Sequence, residues 1–267
     1  MVENGTVTKA IEYILKNISD NLTLENVAEH CHLSISHLSR IFKEQTGQSV
    51  YAFIKKIKME QSAMRLKMES GKSITDIGGD YGYSASNYSS AFALYHKISP
   101  KMFRTRVHQK KENEQEILDR LDSITQVEYK QDYTVMYERA IGNYEELKTA
   151  WCDFIEKNQK YVTEDTIFFE RTFDDPTIAD QDHCIYDICM TVAHPETFEN
   201  TTVLQGGKFL VCSFKGYLSG IYALNQELVG VYFPARGYEI DQRYAYDQYR
   251  KIGEEGYMEF DICIPVK

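Results

Sequence analysis

The sequence lacks the long apolar run that a membrane-spanning helix needs, and its first five residues have neither the basic nor the apolar region of a secretory signal. We therefore expect a cytoplasmic protein with no membrane partner. The sequence also lacks any CxxC pair, because its six cysteines are scattered along the chain. Reduced and mostly buried thiols are expected rather than disulfides.

No set of residues has the spacing of a metal site or a catalytic centre. His30, Cys31 and His32 are adjacent, but adjacent ligands on one helix point in different directions, and no partner pair lies nearby. No nucleophile, base and orienting group occur as a recognisable set either. The sequence therefore predicts no metal, no cofactor and no catalytic residues.

Charge is distributed unevenly along the 267 residues, whose net charge is −10. Through Lys111 there are 16 basic and 10 acidic residues, whereas from Glu112 onward there are 14 basic and 30 acidic ones. The length suits two domains, since single cores seldom grow beyond about 250 residues. A basic first half and an acidic second half indicate two domains with different partners, although solvated surfaces alone can produce such a difference.

The apolar periodicity of the first half predicts seven short helices. A helix over Leu24–Cys31, a tight turn at 32–34 and a helix closed by Gly47 form a helix-turn-helix. A long helix over Ser49–Glu69 follows. The arrangement then recurs, with a second candidate recognition helix over Ser86–His96.

Short motifs occur in a fixed order from the start of the chain through about His108: Leu22-Thr23-Leu24, Val27-Ala28, His37-Leu38-Ser39-Arg40, Phe42-Lys43, Thr46-Gly47, Ile74, Ile77, Tyr81-Gly82-Tyr83, Phe92, Ser99-Pro100 and Phe103-Arg104. Together they resemble the DNA-binding domain of the AraC family. The resemblance implies two recognition helices that enter successive major grooves of double-stranded DNA. It also implies RNA polymerase as a partner.

One face of each recognition helix is expected to contact DNA. On the first helix the predicted DNA-binding residues are Ser36, His37, Ser39, Arg40 and Lys43. Arg40 stands where the family commonly carries arginine and can read guanine or hold a phosphate, whereas Lys43 is expected to contact phosphate. The alternative for Arg40 is an ordinary solvated side chain.

The second recognition helix departs from the family pattern. Its predicted DNA-binding residues are Ser86, Asn87, Ser89 and Ser90. Ser90 stands where arginine is common, and the exposed face carries no positive charge, so phosphate neutralisation gains nothing from it. The second unit is therefore expected to read DNA weakly or to position the first unit.

The second half predicts a duplicated β-α-β-β unit. The first copy has a strand near 135–140, a helix near 147–155 and strands over Thr166–Phe173 and Cys184–Val192. A second copy follows at a constant offset in residue number, the one that pairs Gly142 with Gly216, and predicts a pseudo-two-fold domain. Its predicted elements are a strand over Phe209–Phe214, a helix marked by Ile221, Leu224, Leu228 and Val229, and strands near Arg243–Arg250 and Tyr257–Val266.

Further motifs lie between about Ile124 and Lys267: Gly142, Trp151, Phe173-Asp174-Asp175-Pro176, Tyr186-Asp187, Gly206-Gly207, Lys215-Gly216, Tyr246-Asp247-Gln248-Tyr249 and Ile264-Pro265-Val266. They resemble the gyrase-inhibitor-like (GyrI-like) effector-binding domain, and the order of the two halves resembles the Rob-like arrangement. The expected fold is multidomain: an all-α double helix-turn-helix domain over 1–110, a helical or flexible linker over 111–123 and an α+β domain over 124–267.

The second resemblance implies an aromatic pocket between the repeats, with a buried glutamate at the position of Asp247. An acid in an apolar cavity favours a cationic ligand, which aromatic faces also attract. Core packing of the aromatics and a solvated Asp247 are the alternatives. Phe173 is the predicted repeat mate of Asp247 at the same constant offset. The candidate ligand-binding residues are Asp247, Tyr249, Phe173, Trp151, Tyr137 and Tyr217.

These patterns favour a transcription regulator, rather than an enzyme, that senses a small, hydrophobic and cationic effector. Two other functions stay open: a GyrI-like hydrolase of small electrophiles, and a protein-docking module, each joined to a DNA-binding domain. A melting shift caused by ligand without ligand turnover distinguishes the sensor from the hydrolase. The absence of a response to any small cation favours the docking module.

Overall fold

The computed structural model describes residues 1–19, 22–69, 71–108, 113–175, 177–241, 243–253 and 256–267, and only the backbone of Gln181. The chain divides into two compact units, residues 2–109 and residues 110–267. Each unit is described by itself. None of the helices in the described ranges is both long and apolar enough to cross a lipid bilayer.

The described part of the N-terminal unit is all helical, as the apolar periodicity predicts. Its helices are α1 (Gly5–Lys16), α2 (Leu24–His30), α3 (Ile35–Thr46), α4 (Val50–Met68), α5 (Ile74–Asp80), α6 (Ala85–His96) and α7 (Pro100–Val107). The pairs α2–α3 and α5–α6 are the two helix-turn-helix units, and α4 connects them.

The two helix-turn-helix units repeat at a constant offset, since α2 and α3 begin at Leu24 and Ile35 and their counterparts at Ile74 and Ala85. The recognition helices α3 and α6 follow Ser34 and Ser84, whose hydroxyls each accept the backbone N–H of the third residue after them. Both helices end in the left-handed conformation, at Gly47 with φ 72° and at Lys97 with φ 58°. This conformation costs a residue with a side chain about 1–2 kcal/mol more than it costs glycine. The end of α6 at Lys97 is therefore less stable than the end of α3 at Gly47.

The C-terminal unit combines helices with a sheet whose described strands are all antiparallel. Its main elements are α8 (Glu114–Ile124), β1 (Thr125–Lys130), β2 (Tyr133–Gly142), α9 (Leu147–Asn158), β3 (Phe168–Thr172), β4 (Cys184–Thr191), β5 (Thr201–Leu204), β6 (Gly207–Gly216), α10 (Leu218–Glu227), a π-helical turn (Leu228–Tyr232), α11 (Phe233–Arg236), β7 (Tyr246–Ile252) and β8 (Met258–Pro265). The strand order is β1-β6-β8-β7-β3-β4-β2-β5. The two-domain α plus α+β fold predicted from the sequence is confirmed.

The sheet separates two groups of buried side chains. On one face, α8, α9 and α10 pack against the strands, where Trp151, Phe154 and Leu224 join strand residues such as Phe260 in the larger core. Strand residues such as Phe169 form a smaller cluster on the opposite face. Because side chains alternate along a strand, neighbouring residues of β3 and β7 belong to different faces.

The internal repeat has one more strand than predicted. The offset that relates Gly142 to Gly216 also carries both bounds of β2 onto β6 and both bounds of β4 onto β8. A short strand precedes each copy, so that the unit is β-β-α-β-β. These first strands exchange places: β1 pairs with β6 of the second copy, and β5 pairs with β2 of the first.

The predicted constant offset is wrong for the third strand. Ile188 of β4 and Ile262 of β8 are equivalent positions of the two copies. Glu170 pairs with Ile188, and Asp247 pairs with Ile262, so Glu170, rather than Phe173, is the repeat mate of Asp247. The second copy has more residues than the first before this strand and correspondingly fewer after it. The first and last strands of the two copies therefore still align at one offset, and the shift between them is not visible in the sequence.

The predicted linker is largely part of the C-terminal unit. Residues 114–124 form α8, and Ile117, Leu118 and Leu121 are buried in the larger core. Asp122 accepts a hydrogen bond from Tyr232 Oη at 2.9 Å and is paired with Arg236. Residues 111 and 112 lie outside the described ranges.

Candidate functional site

Three of the predicted ligand-binding residues lie together on the helix-covered face of the sheet. Asp247 and Tyr249 are on the same face of β7, two residues apart. The indole of Trp151, from α9, packs on the Tyr249 ring with 4.7 Å between centroids. Tyr249 also stacks on Phe260 of β8 at 4.9 Å. An acid therefore lies beside aromatic walls, as the resemblance implied.

A second acid, which no motif of the sequence singles out, lies directly opposite Asp247. Glu170 of β3 is the register partner of Asp247 across the central strand pair. The Tyr249 hydroxyl donates a hydrogen bond to Glu170 Oε2 at 2.9 Å, and only 2% of Glu170 is exposed. Asp247 keeps part of its surface accessible. The site is therefore a pair of carboxylates rather than a single acid.

Burial disfavours the charged form of both carboxylates. It raises the pKa of Glu170 to about 7, although the Tyr249 hydroxyl and the Trp151 indole act in the opposite direction. Burial, followed by the neighbouring charge of Glu170, raises the pKa of Asp247 well above its usual range. Both effects make the pair costly to ionise unless a positive charge is brought to it.

Two polar groups beside the acid pair are poorly satisfied. The Trp151 Nε1–H is close enough to Glu170 to favour its ionised form, but it makes no hydrogen bond of good geometry among the described residues. The Tyr144 hydroxyl is buried and also lacks a partner within them, and its ring stacks on Tyr186 with 5.1 Å between centroids. Since buried polar groups are normally satisfied, these two donors are available to a bound molecule or water.

The structure does not bring the other three predicted ligand-binding residues to this site. Tyr137 and Phe173 lie on the opposite face, where their rings cover the guanidinium groups of Arg139 and Arg171 at 4.8–5.5 Å. Tyr217 is 55% exposed at the end of β6, where it meets only Tyr257 among the described aromatic rings. Phe173 is absent from the site because the third strand of the first repeat is shifted, which puts Glu170 in the position expected for Phe173. Tyr137 is absent because side chains alternate along β2 and its ring belongs to the opposite face of the sheet.

The opposite face holds a buried acid that is fully paired. Arg139 Nε and Nη2 donate to the two oxygens of Asp187 at 2.7 and 2.9 Å, and Arg171 Nε donates to Oδ2 at 2.9 Å. All three side chains are at most 2% exposed. Paired charges of this kind hold strands together. Among the described residues, no arginine neutralises Glu170 or Asp247 in this way.

The predicted DNA-binding residues lie on the outer faces of the recognition helices. On α3, Ser36, His37, Arg40 and Lys43 are exposed and Ser39 is partly exposed. Arg40 pairs with Glu44 at 2.9 Å, with both side chains more than half exposed. On α6 the four predicted residues, Ser86, Asn87, Ser89 and Ser90, are all exposed. Within the described ranges, no three His, Cys, Asp or Glu side chains are placed to hold a metal ion.

Comparison with known families assigns both units. Residues 125–267 match the GyrI-like small molecule binding domain, and residues 27–106 match a helix-turn-helix domain. The chain belongs to the GyrI-like family. It is an AraC-type DNA-binding regulator with a GyrI-like small-molecule-binding domain, in a Rob-like order.

Relatives match either the whole chain or its N-terminal unit. The right origin-binding protein of Escherichia coli K12 is 21% identical over 291 residues and the full length of both chains. The multiple antibiotic resistance protein MarA of Salmonella typhimurium is 33% identical over 105 residues, which are 39% of this chain and 82% of MarA. The regulatory protein PocR of the same species is 32% identical over 107 residues, 40% of this chain, and the match spans only 35% of PocR.

Two solved structures resemble one unit each of this GyrI-like regulator. The C-terminal domain of the response regulator AraT from Geobacillus stearothermophilus is 34% identical and covers 41% of this chain and 90% of that domain, with a TM-score of 0.38. The C-terminal domain of EcmrR is 13% identical, and the match covers 54% of this chain and 96% of that domain, with a TM-score of 0.44.

Proposed function

We propose that this regulator senses a hydrophobic cation at the Glu170–Asp247 pair and converts its binding into a change in transcription. The cation lies against Trp151, Tyr249 and Tyr144, while the helix-turn-helix units hold the operator. RNA polymerase is the partner that reads out the change. The protein acts in the cytoplasm, where DNA and RNA polymerase are available to it.

The observation that carries this proposal is that the acid pair has no compensating positive charge among the described residues. Two carboxylates lie opposite each other among aromatic side chains, and no cation of the described residues acts on either. A cationic ligand supplies the missing charge, and the faces of Trp151 and Tyr249 attract the same cation through their quadrupoles. Hydrophobic substituents on the ligand gain from leaving water.

For the DNA-binding unit we propose that α3 provides most of the base reading. Arg40 is held by an exposed pair with Glu44, which is worth below about 1 kcal/mol and is readily exchanged for a base or phosphate. The proposed contacts of α3 are Ser36, His37, Ser39, Arg40 and Lys43. Those of α6, which supply hydrogen bonds but no charge, are Ser86, Asn87, Ser89 and Ser90.

Ligand titrations of wild type and Asp247→Asn test the proposal. Trp151 is the single tryptophan of the chain and lies at the site, so its fluorescence reports binding. Phenyltrimethylammonium is a permanent cation, and tert-butylbenzene is its neutral isostere. We expect the substitution to weaken binding of the cation by about thirtyfold or more, because losing one partner of a buried charge pair costs about 2–5 kcal/mol. Binding of the isostere should change little.

Glu259→Gln is the matched control, because it removes an acid of the same domain whose partner is Lys215 on the surface. This variant should bind both probes like wild type. Equal cation affinities for wild type and Asp247→Asn would contradict the proposal. Consumption of a ligand during the titration would instead support hydrolysis, for which two buried acids of raised pKa are suitable groups.

A further inference from the structure

The two carboxylates of the candidate site are equivalent residues of the two repeats. Glu170 and Asp247 occupy the central strand pair β3–β7 and are register partners there. The pseudo-two-fold arrangement therefore sets each acid against the other instead of against a basic residue. Like charges placed directly opposite each other across two strands destabilise the sheet.

The same sheet neutralises a buried acid by another means on its opposite face. Asp187 receives guanidinium groups from Arg139 and Arg171. Arg171 directly follows Glu170 in β3, but strand alternation turns its side chain to the Asp187 face. The acid pair is thus separated from the guanidinium of Arg171 by the sheet itself.

Among the described residues, no basic side chain acts on the pair from the other elements packed around it. The titratable groups that interact with Glu170 or Asp247 there are Tyr144, Tyr186, Cys189, Cys212, Tyr249 and Cys263. The Tyr249 hydroxyl is a single donor, to Glu170 Oε2, and it lowers the cost of ionising one acid only. A second ionised acid in this environment is left without compensation.

We propose that the empty site holds at least one proton on the Glu170–Asp247 pair and that a bound cation replaces this proton. The inference rests on the proposed function. On binding, the O–H bond of one carboxylic acid breaks, its proton passes to solvent, and the carboxylate left behind forms an ion pair with the cation. The pair titrates as a unit, so the proton belongs to both residues.

The exchange makes cation binding depend on pH with a fixed sign. Protons compete with the cation, so its affinity rises about tenfold per pH unit while the pair is protonated and levels off once it is ionised. The pKa of Glu170, raised to about 7, places one step of this change near neutrality, and the other step belongs to Asp247, whose pKa burial and then the charge of Glu170 raise well above its usual range. The empty domain follows the opposite course: a raised pKa stabilises the fold at low pH, and this contribution is lost as pH rises through 7 and above.

Infrared spectroscopy of the ligand-free full chain tests the inference without any ligand. At pH 7 wild type should show the carbonyl band of a protonated, buried carboxylic acid. The band should disappear in the double variant Glu170→Gln/Asp247→Asn and persist in Glu259→Gln. Since Gln and Asn preserve the shape of the two side chains, the double variant is expected to fold. A wild-type spectrum without the band overturns the inference, whether or not a cation binds.

The second measurement is the affinity for phenyltrimethylammonium and tert-butylbenzene from pH 5.5 to 8.5, followed by Trp151 fluorescence. Wild type should show the rising profile for the cation and a flat profile for the isostere. In Asp247→Asn only the step of Glu170 should remain in the profile, because Glu170 is then the one acid of the pair left to titrate. A protonated pair with a pH-independent cation affinity overturns proton exchange but leaves cation sensing intact. A protonated pair that binds no cation overturns the proposed function, and proton exchange with it.

Discussion

Gly78 lies inside α5 and faces the ring of Tyr88 on α6. A Cβ atom at this position would lie 2.6 Å from Cγ and 2.8 Å from Cβ of Tyr88, closer than real atoms approach. The equivalent residues of the first unit are Ala28 and Leu38, so that unit has a larger residue in place of the glycine and a smaller one in place of the tyrosine. The second unit therefore depends on a glycine where the first does not.

We predict that Gly78→Ala lowers the free energy of unfolding of the N-terminal unit, since overpacking typically costs about 1–3 kcal/mol. Gly79→Ala is the matched control. It adds the same methyl group at the next position of the helix, where nothing lies within 4 Å. This variant should gain about 0.5–1 kcal/mol from the better helix propensity of alanine. Urea unfolding followed by circular dichroism measures both, and an unfolding curve for Gly78→Ala equal to that for Gly79→Ala would contradict the packing argument.

The candidate site shows what single residues reveal before a structure is known. The family resemblance predicts Asp247, Tyr249 and Trp151 as candidates, and the structure brings the three side chains together. Glu170 gave no such signal, because its neighbour Arg171 suggests an ordinary exposed ion pair on a strand. Only the register of β3 with β7, which depends on contacts between distant parts of the chain, shows that Glu170 lies directly opposite Asp247.

At the scale of elements, the helices and the interior strands could be predicted because their apolar residues repeat at the helical or strand period. The edge strands β1 and β5 could not, since their exposed side chains carry little of that pattern. The many charges of α8 suggest a helical or flexible linker, although Ile117, Leu118 and Leu121 have the spacing of a buried helix face. The position of β7 departs from the constant offset between the two repeats, and only the pairing of the strands shows this departure.

The two recognition helices share backbone length and capping but differ in charge. When α3 is aligned with α6 from their first residues, Arg40 corresponds to Ser90 and Glu44 to Leu94, which is 65% exposed. On a duplex selected for binding, we predict that Arg40→Ala costs about 1–3 kcal/mol if Arg40 makes a bidentate base contact. Ser90→Ala should cost much less, because serine has a short reach and no charge.

The reverse substitution, Ser90→Arg, gives the second helix the residue of its counterpart. It should strengthen binding and steepen the dependence of log affinity on log salt by about 1, if the new arginine contacts a phosphate. Fluorescence anisotropy of labelled DNA over a range of salt concentrations measures these effects in the full chain. Glu44→Gln is the control, since it frees Arg40 without removing it. A larger loss for Ser90→Ala than for Arg40→Ala would contradict the assignment of α3 as the main reader.

At the scale of the whole molecule, the division into two units follows the division of charge. The basic residues are concentrated in the helical unit, where phosphates favour them, and the acidic ones in the GyrI-like domain, where a cation is expected. Binding at one site can affect the other only if the effector distinguishes the states of the protein that differ in their action on transcription. The central claim is therefore that the acid pair controls the output of the regulator.

Transcription in vitro by RNA polymerase, from a promoter that carries the selected duplex, tests this claim most directly. Transcript levels are compared with and without saturating phenyltrimethylammonium for wild type, Asp247→Asn and Glu259→Gln. We predict that the cation changes the transcript level with wild type and with Glu259→Gln, and that the change is lost with Asp247→Asn at the same cation concentration. A wild type that binds the cation without any change in transcript, or an Asp247→Asn variant that responds like wild type, would contradict the account.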